Sequence, residues 1–130
     1  MTLTQRLPAL GDVLLLEDDA LISLDTEDML LSLGAKRVHV AHNLDEAERI
    51  VSRLKLDAVV LDLVIGPQRS EALARRLVER SMPVIFASGH DDVGELAAGL
   101  ELVPMVRKPY SEQALLVALT TVLTRRPNAS

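Results

Sequence analysis

The chain has no cysteine, which excludes disulfides and thiolate metal sites and leaves the redox compartment open. Aromatic residues make up only 2%, so a core has to be assembled from Leu, Val, Ile and Ala; at 48% hydrophobic, the composition is that of a globular chain. No apolar run approaches the ~20 residues that a membrane span requires. The opening MTLTQRLPALG also lacks the charged-then-apolar layout of a secretory signal, so a cytosolic protein with no membrane association is expected. Positive charge is short as well. A formal net charge of −5 argues against the basic face needed to displace phosphate counterions, and direct nucleic-acid binding is not expected.

The length, 130 residues, suits one domain with a real core, and no internal repeat, low-complexity stretch or linker divides it. Short apolar runs at 13–16, 38–41, 58–65 (broken by Asp62), 84–87 and 103–106 are the right size for strands. The intervals between them are long enough for helices. Residues 20–33 place Leu21, Leu24, Met29 and Leu33 on one broad face and stop at Gly34, a usual residue just past a helix end. Asn43 can cap a helix to about Leu54 that turns Leu44, Ala47, Ile50, Val51 and Leu54 inward. A third helix, 70–80, carries Leu73, Leu77 and Val78 against a charged outer face, and Ser111 can cap a last helix from Glu112 to about Leu123. Residues 91–100 make the weakest helix, because Gly94 and Gly99 interrupt it.

Strands alternating with helices predict a doubly wound α/β fold, a parallel sheet with helices on both faces. Sites in such folds form beyond the carboxyl ends of the strands. Here the first strand ends in Glu17-Asp18-Asp19, the third meets Asp62, the fourth ends in Ala87-Ser88-Gly89 and the fifth in Arg107-Lys108-Pro109. Clustered carboxylates repel one another unless a cation sits among them, and Mg²⁺ is the natural candidate because it takes oxygen ligands from a few carboxylates plus water. A carboxylate beside Mg²⁺, faced by a Lys and a hydroxyl, is equipped to accept a phosphoryl group. In that scheme Asp62 is the nucleophile, Asp18 the principal metal carboxylate, Glu17 its helper, and Val64 a donor of its backbone carbonyl. Ser88 hydrogen-bonds a phosphoryl oxygen and Lys108 supplies positive charge. Asp19, followed at once by a helix, reads as the cap of that helix.

This pattern resembles the receiver domain of two-component response regulators, the CheY-like family, over residues 11–125, with 1–10 and 126–130 as tails. The resemblance rests on the acidic pair after the first strand, the lone Asp62 ending the third, Ser88 ending the fourth, and Lys108-Pro109 after the fifth. It implies five parallel strands in the order 2-1-3-4-5 and a cis bond between Lys108 and Pro109. It also implies Mg²⁺-dependent transfer of phosphoryl to Asp62 from a histidine kinase or histidine phosphotransferase. Such a protein catalyses only its own phosphorylation and dephosphorylation. With no output domain after residue 130, it would be a stand-alone receiver, signalling through the fourth helix, fifth strand and fifth helix or serving as a relay or phosphate sink.

The chain departs from the family pattern in two places. Met105 stands where many members have a switch Tyr or Phe, and Gly66 stands where Pro is frequent, with Pro67 one residue later. PVIFASGH is similar to the PFxFATGY signature of a single-domain subgroup from alphaproteobacteria, which also lacks the aromatic switch residue and has Tyr at the position of His90. Val64 and His90 lie where the family tunes access of water to the acyl phosphate. Two other classes compete: a phosphorylation-independent binding module, which Met105 keeps open, and a phosphatase of the haloacid dehalogenase type, whose DxD spacing the chain does not match.

Overall fold

The computed structural model describes residue 7, residues 10–89, residue 96 and residues 98–125. Its main sheet is built from β1 (Asp12–Leu16), β2 (Arg37–Ala41), β3 (Ala58–Asp62), β6 (Val84–Ser88) and β7 (Met105–Arg107), all parallel, in the order β2-β1-β3-β6-β7. Counted along the main sheet, that is the expected order 2-1-3-4-5. A small antiparallel hairpin, β4 (Val64–Ile65) with β5 (Gln68–Arg69), leaves the sheet after β3. The helices are α1 (Ala20–Ser32), α2 (Leu44–Arg53), α3 (Glu71–Glu79) and α4 (Glu112–Arg125).

Every residue of β3 and β6 is buried, as expected of central parallel strands covered on both sides. Alternate side chains sort into two cores. Val13, Leu15, Ala58, Val60, Ile85 and Val106 pack with Leu30 and Leu33 of the α1 segment and Leu115 and Leu119 of α4. On the opposite face Leu14, Leu16, Val59, Leu61 and the fully buried Phe86 pack with Ala47 of α2 and Leu73, Ala74 and Leu77 of α3.

The helix starts follow the expected chemistry. Asp19 Oδ1 accepts from Leu21 N and Ile22 N, at 2.9 and 3.0 Å, Asn43 Oδ1 from Glu46 N at 2.9 Å, and Ser111 Oγ from Ala114 N at 3.0 Å. Gly34 ends α1 at φ +120°, where a Cβ would come within 2.8 Å of the Leu7 carbonyl oxygen. Leu7 N donates to Leu33 O and Leu10 is buried, so part of the stretch expected as a tail is tied to the core.

Other details differ from expectation as well, among them Leu54, expected inward and 38% exposed at the end of α2. The apolar run 58–65 is not one strand: it leaves the sheet after Asp62 and turns back through Gly66-Pro67, where the positive φ of Gly66 (60°) suits the first loop position of a type II′ hairpin turn. The last strand is Met105–Arg107 and not 103–106. Helix α1 turns Ser23, Thr26 and Leu30 inward and leaves Leu21 75% and Leu24 59% exposed. Apolar residues run nearly all round this helix, so periodicity places only half of the face: Leu33 is buried and Met29 packs against the core as expected, whereas Leu21 and Leu24 do not. The inward hydroxyls tolerate burial because Ser23 Oγ donates to Ala20 O and Thr26 Oγ1 pairs with Tyr110 OH at 2.7 Å. Of the expected helix at 91–100, only residues 96 and 98–100 lie within the described residues.

Candidate functional site

Side chains alternate along a strand, so the residues continuing a strand inherit its faces. Val13 and Leu15 face α1 and α4, and Glu17 follows them; Ala58 and Val60 lead in the same way to Asp62, and Val106 leads to Lys108. Three strands thus deliver two acids and a cation to one side of the sheet's carboxyl end. Lys108 reaches past the end of β6 and places Nζ 2.8 Å from Asp62 Oδ2 and 2.8 Å from Glu17 Oε1. Both carboxylates are buried. Glu17 Oε2 accepts from Asp19 N at 3.0 Å, which leaves each of its oxygens with a donor.

Asp62 is different. Its Oδ1 is buried and, among the described residues, has no hydrogen-bond partner. Carboxylate oxygens from Glu17, Asp18 and Asp62 all lie within 4.8 Å of one another. An orphaned buried carboxylate oxygen beside two more acids is costly unless a cation meets it, so the donor set fits a hard divalent ion. Asp18 is exposed and Glu17 buried, so the cluster opens to solvent on the Asp18 side. Burial pushes the Asp62 carboxyl up to about 7; the Lys108 hydrogen bond opposes that rise and the charges of Glu17 and Asp18 add to it. For Lys108, burial favours the neutral amine, but hydrogen bonds and charge from Asp62 and Glu17 outweigh it and raise its pKa.

Ser88 is buried at the end of β6 and donates from Oγ to Gly89 O at 3.0 Å, while its carbonyl accepts from Lys108 N at 2.9 Å. The Lys108–Pro109 bond is cis. Val64 opens β4 two residues after Asp62 and is half-buried. Met105 lies opposite Phe86 in β7 and is 39% exposed. His90 lies outside the described residues.

Two neighbours of the cluster gave no signal in the sequence. Tyr110 follows Lys108-Pro109 and bonds Thr26, fastening the loop after β7 to α1. Ser70, which reads as an ordinary helix start, sends its hydroxyl to the backbone carbonyl of Asp62 at 2.6 Å. A lone Tyr or Ser is too common to be singled out without knowing what it touches.

Among known proteins, the family described as the response regulator receiver domain matches residues 13–120. The regulatory protein VirG of Agrobacterium tumefaciens is 31% identical over 126 residues, covering 92% of this chain and 46% of VirG. The sensory transduction protein LytR of Streptococcus agalactiae is 30% identical over 84 residues, 63% of this chain and 34% of LytR. The chain therefore spans between a third and a half of the length of these two relatives. The solution structure of SdrG from Sphingomonas melonis superposes with a TM-score of 0.79 at 29% identity, covering 90% of this chain and 99% of SdrG. No helix among the described residues is long and apolar enough to cross a membrane.

Proposed function

The chain belongs to the response regulator receiver domain family, and from that premise we propose that it accepts a phosphoryl group on Asp62 in a Mg²⁺-dependent reaction of two-component signalling. The donor is a histidine kinase or a histidine phosphotransferase. The observation that carries this reading is the split state of the Asp62 carboxylate: Oδ2 is held by Lys108, whereas Oδ1 is buried without a hydrogen-bond partner among the described residues, beside Glu17 and Asp18.

The chemistry is a displacement at phosphorus. A carboxylate oxygen of Asp62 attacks the phosphorus of the donor's phosphohistidine; the O–P bond forms as the N–P bond breaks, and the electron pair of that bond leaves with the imidazole. Lys108, already shared between Asp62 and Glu17, turns its ammonium to the phosphoryl oxygens. Ser88 Oγ exchanges its bond to the Gly89 carbonyl for a phosphoryl oxygen. Glu17, Asp18, Asp62 and the Val64 carbonyl would hold Mg²⁺, which supplies charge neutralisation for the transferring group.

Signalling then proceeds by protein contact. Met105 and Val117, both exposed, give β7 and α4 an apolar outer surface for a partner, and with Met105 in place no aromatic ring at that position can report the phosphorylated state. The PVIFASGH stretch supports placement beside the PFxFATGY subgroup, which lacks the same ring. Incubation with Mg²⁺ and acetyl phosphate is expected to add the mass of one phosphoryl group to the wild type and none to Asp62→Asn. An equal gain in Asp62→Asn, or no gain in either, overturns the proposal.

A further inference from the structure

Ser70 occupies the position ahead of α3 where a serine normally caps its own helix. Its carbonyl does accept from Ala74 N at 2.9 Å, in the manner of an N-cap. The side chain, however, makes no cap. It is completely buried and donates from Oγ to the Asp62 carbonyl at 2.6 Å, with the Leu63 carbonyl at 3.4 Å. A cap hydroxyl turned away from its own helix breaks a local rule, and such breaks concentrate at functional sites.

What Ser70 holds is one peptide unit. At one end of the Asp62–Leu63 peptide the carbonyl takes Ser70 Oγ; at the other, Leu63 N donates to Ala87 O at 2.8 Å. The plane of that peptide is therefore clamped from two elements at the point where the chain leaves the sheet. Fixing it fixes the backbone of Asp62, and with it the direction in which the carboxylate leaves the strand. Ser70 N also donates to Leu63 O at 3.0 Å, which closes the base of the β4–β5 hairpin carrying Val64. One residue thus braces both Asp62 and the segment that follows it.

We propose that Ser70 is a positioning residue for Asp62, its hydroxyl orienting the Asp62–Leu63 peptide so that the carboxylate stays aimed at Glu17, Asp18 and Lys108. This rests on the phosphoacceptor reading above. The test compares wild type with Ser70→Ala, Ser70→Thr and Leu77→Ala; the last removes core packing from the far end of α3 without touching Asp62. Two quantities are measured well below the melting temperature: the rate of phosphoryl gain from acetyl phosphate at saturating Mg²⁺, and the Mg²⁺ dissociation constant from amide NMR shifts without any phosphodonor.

Ser70→Ala is expected to slow phosphoryl gain at least about tenfold and to weaken Mg²⁺ binding several-fold, since small misplacements of a reacting group are costly. Ser70→Thr is expected to recover both, and Leu77→Ala to lower only the melting temperature. Wild-type rate and affinity in Ser70→Ala, or a loss that Leu77→Ala reproduces or Ser70→Thr fails to recover, overturns the role of the hydroxyl. If the wild type binds Mg²⁺ but takes no phosphoryl group, the phosphoacceptor reading fails and the Mg²⁺ constants alone decide for or against Ser70. If the wild type binds no Mg²⁺ either, both fall.

Discussion

Lys108 Nζ donates to Asp62 Oδ2 at 2.8 Å across the end of β6, the strand that separates theirs. The bond is a part-buried ion pair between a buried carboxylate and a partly exposed ammonium, and Glu17 shares the same ammonium. Removing the cation would leave two buried acids facing each other with nothing between them. Breaking a buried pair from one side costs roughly 3–5 kcal/mol, and because Asp62 is already easy to protonate we expect Lys108→Ala to fall near the low end. Urea unfolding at neutral pH without metal checks it; an unchanged midpoint would show that the pair contributes no net stability.

The raised Asp62 pKa sets a direction for stability against pH in metal-free protein. The carboxyl titrates at about 7 in the folded chain and near its ordinary value of 3.8 when unfolded. Between those values the folded state holds a proton that the unfolded state has released, so raising the pH favours unfolding. We expect stability contributed by this group to be present below about pH 4 and lost as pH rises through about 7, with Asp62→Asn removing that slope. Added Mg²⁺ at neutral pH is expected to restore stability by mass action, and to do so less in Asp62→Asn. Melting curves in chelator across this range, with and without Mg²⁺, read both effects.

How much of this was legible beforehand depends on whether a residue's meaning is local. Asp62 interrupts an apolar run, and Glu17 and Lys108 follow strands whose alternation assigns them a face, so the cluster could be anticipated from spacing. The hairpin could not: Leu63, Val64 and Ile65 are as apolar as the strand before them, and only Gly66-Pro67 marks the departure from the sheet. In the sequence Ser70 reads as any helix start, since a hydroxyl's choice between its own helix and the Asp62 carbonyl is made by tertiary contact.

Helix α1 shows the same limit and supplies a test. Periodicity groups Leu21 and Leu24 with Met29 and Leu33, and Leu33 is indeed buried, yet Leu21 and Leu24 are 75% and 59% exposed, while Leu30 is fully buried. Leu21→Ser and Leu24→Gln are expected to change stability by no more than about 0.5 kcal/mol. Leu30→Ala is expected to cost about 2–5 kcal/mol through lost burial and the cavity it leaves. Chemical denaturation of the three variants separates the two stripes. Equal large losses in all of them would restore the periodicity assignment.

Tyr110 OH and Thr26 Oγ1 meet at 2.7 Å, joining the loop after β7 to α1. Thr26 is almost completely buried, so Tyr110→Phe strands its hydroxyl and is expected to cost about 1–3 kcal/mol. Thr26→Val leaves the tyrosine hydroxyl behind on a side chain that is only partly buried, where water can replace the lost partner, and is expected to cost less. Because the two residues share one bond, the double variant is expected to lose less than the sum of the singles, which a double-mutant cycle measures. Tyr110 is the chain's single tyrosine and burial raises its pKa, so its ultraviolet titration is free of overlap from other phenols. The wild-type phenol is expected to ionise above the ordinary value of 10.0, and Thr26→Val to move the midpoint higher still, because the Thr26 hydrogen bond lowers it. A midpoint at or below the ordinary value would mean that Tyr110 is not held in this buried pair.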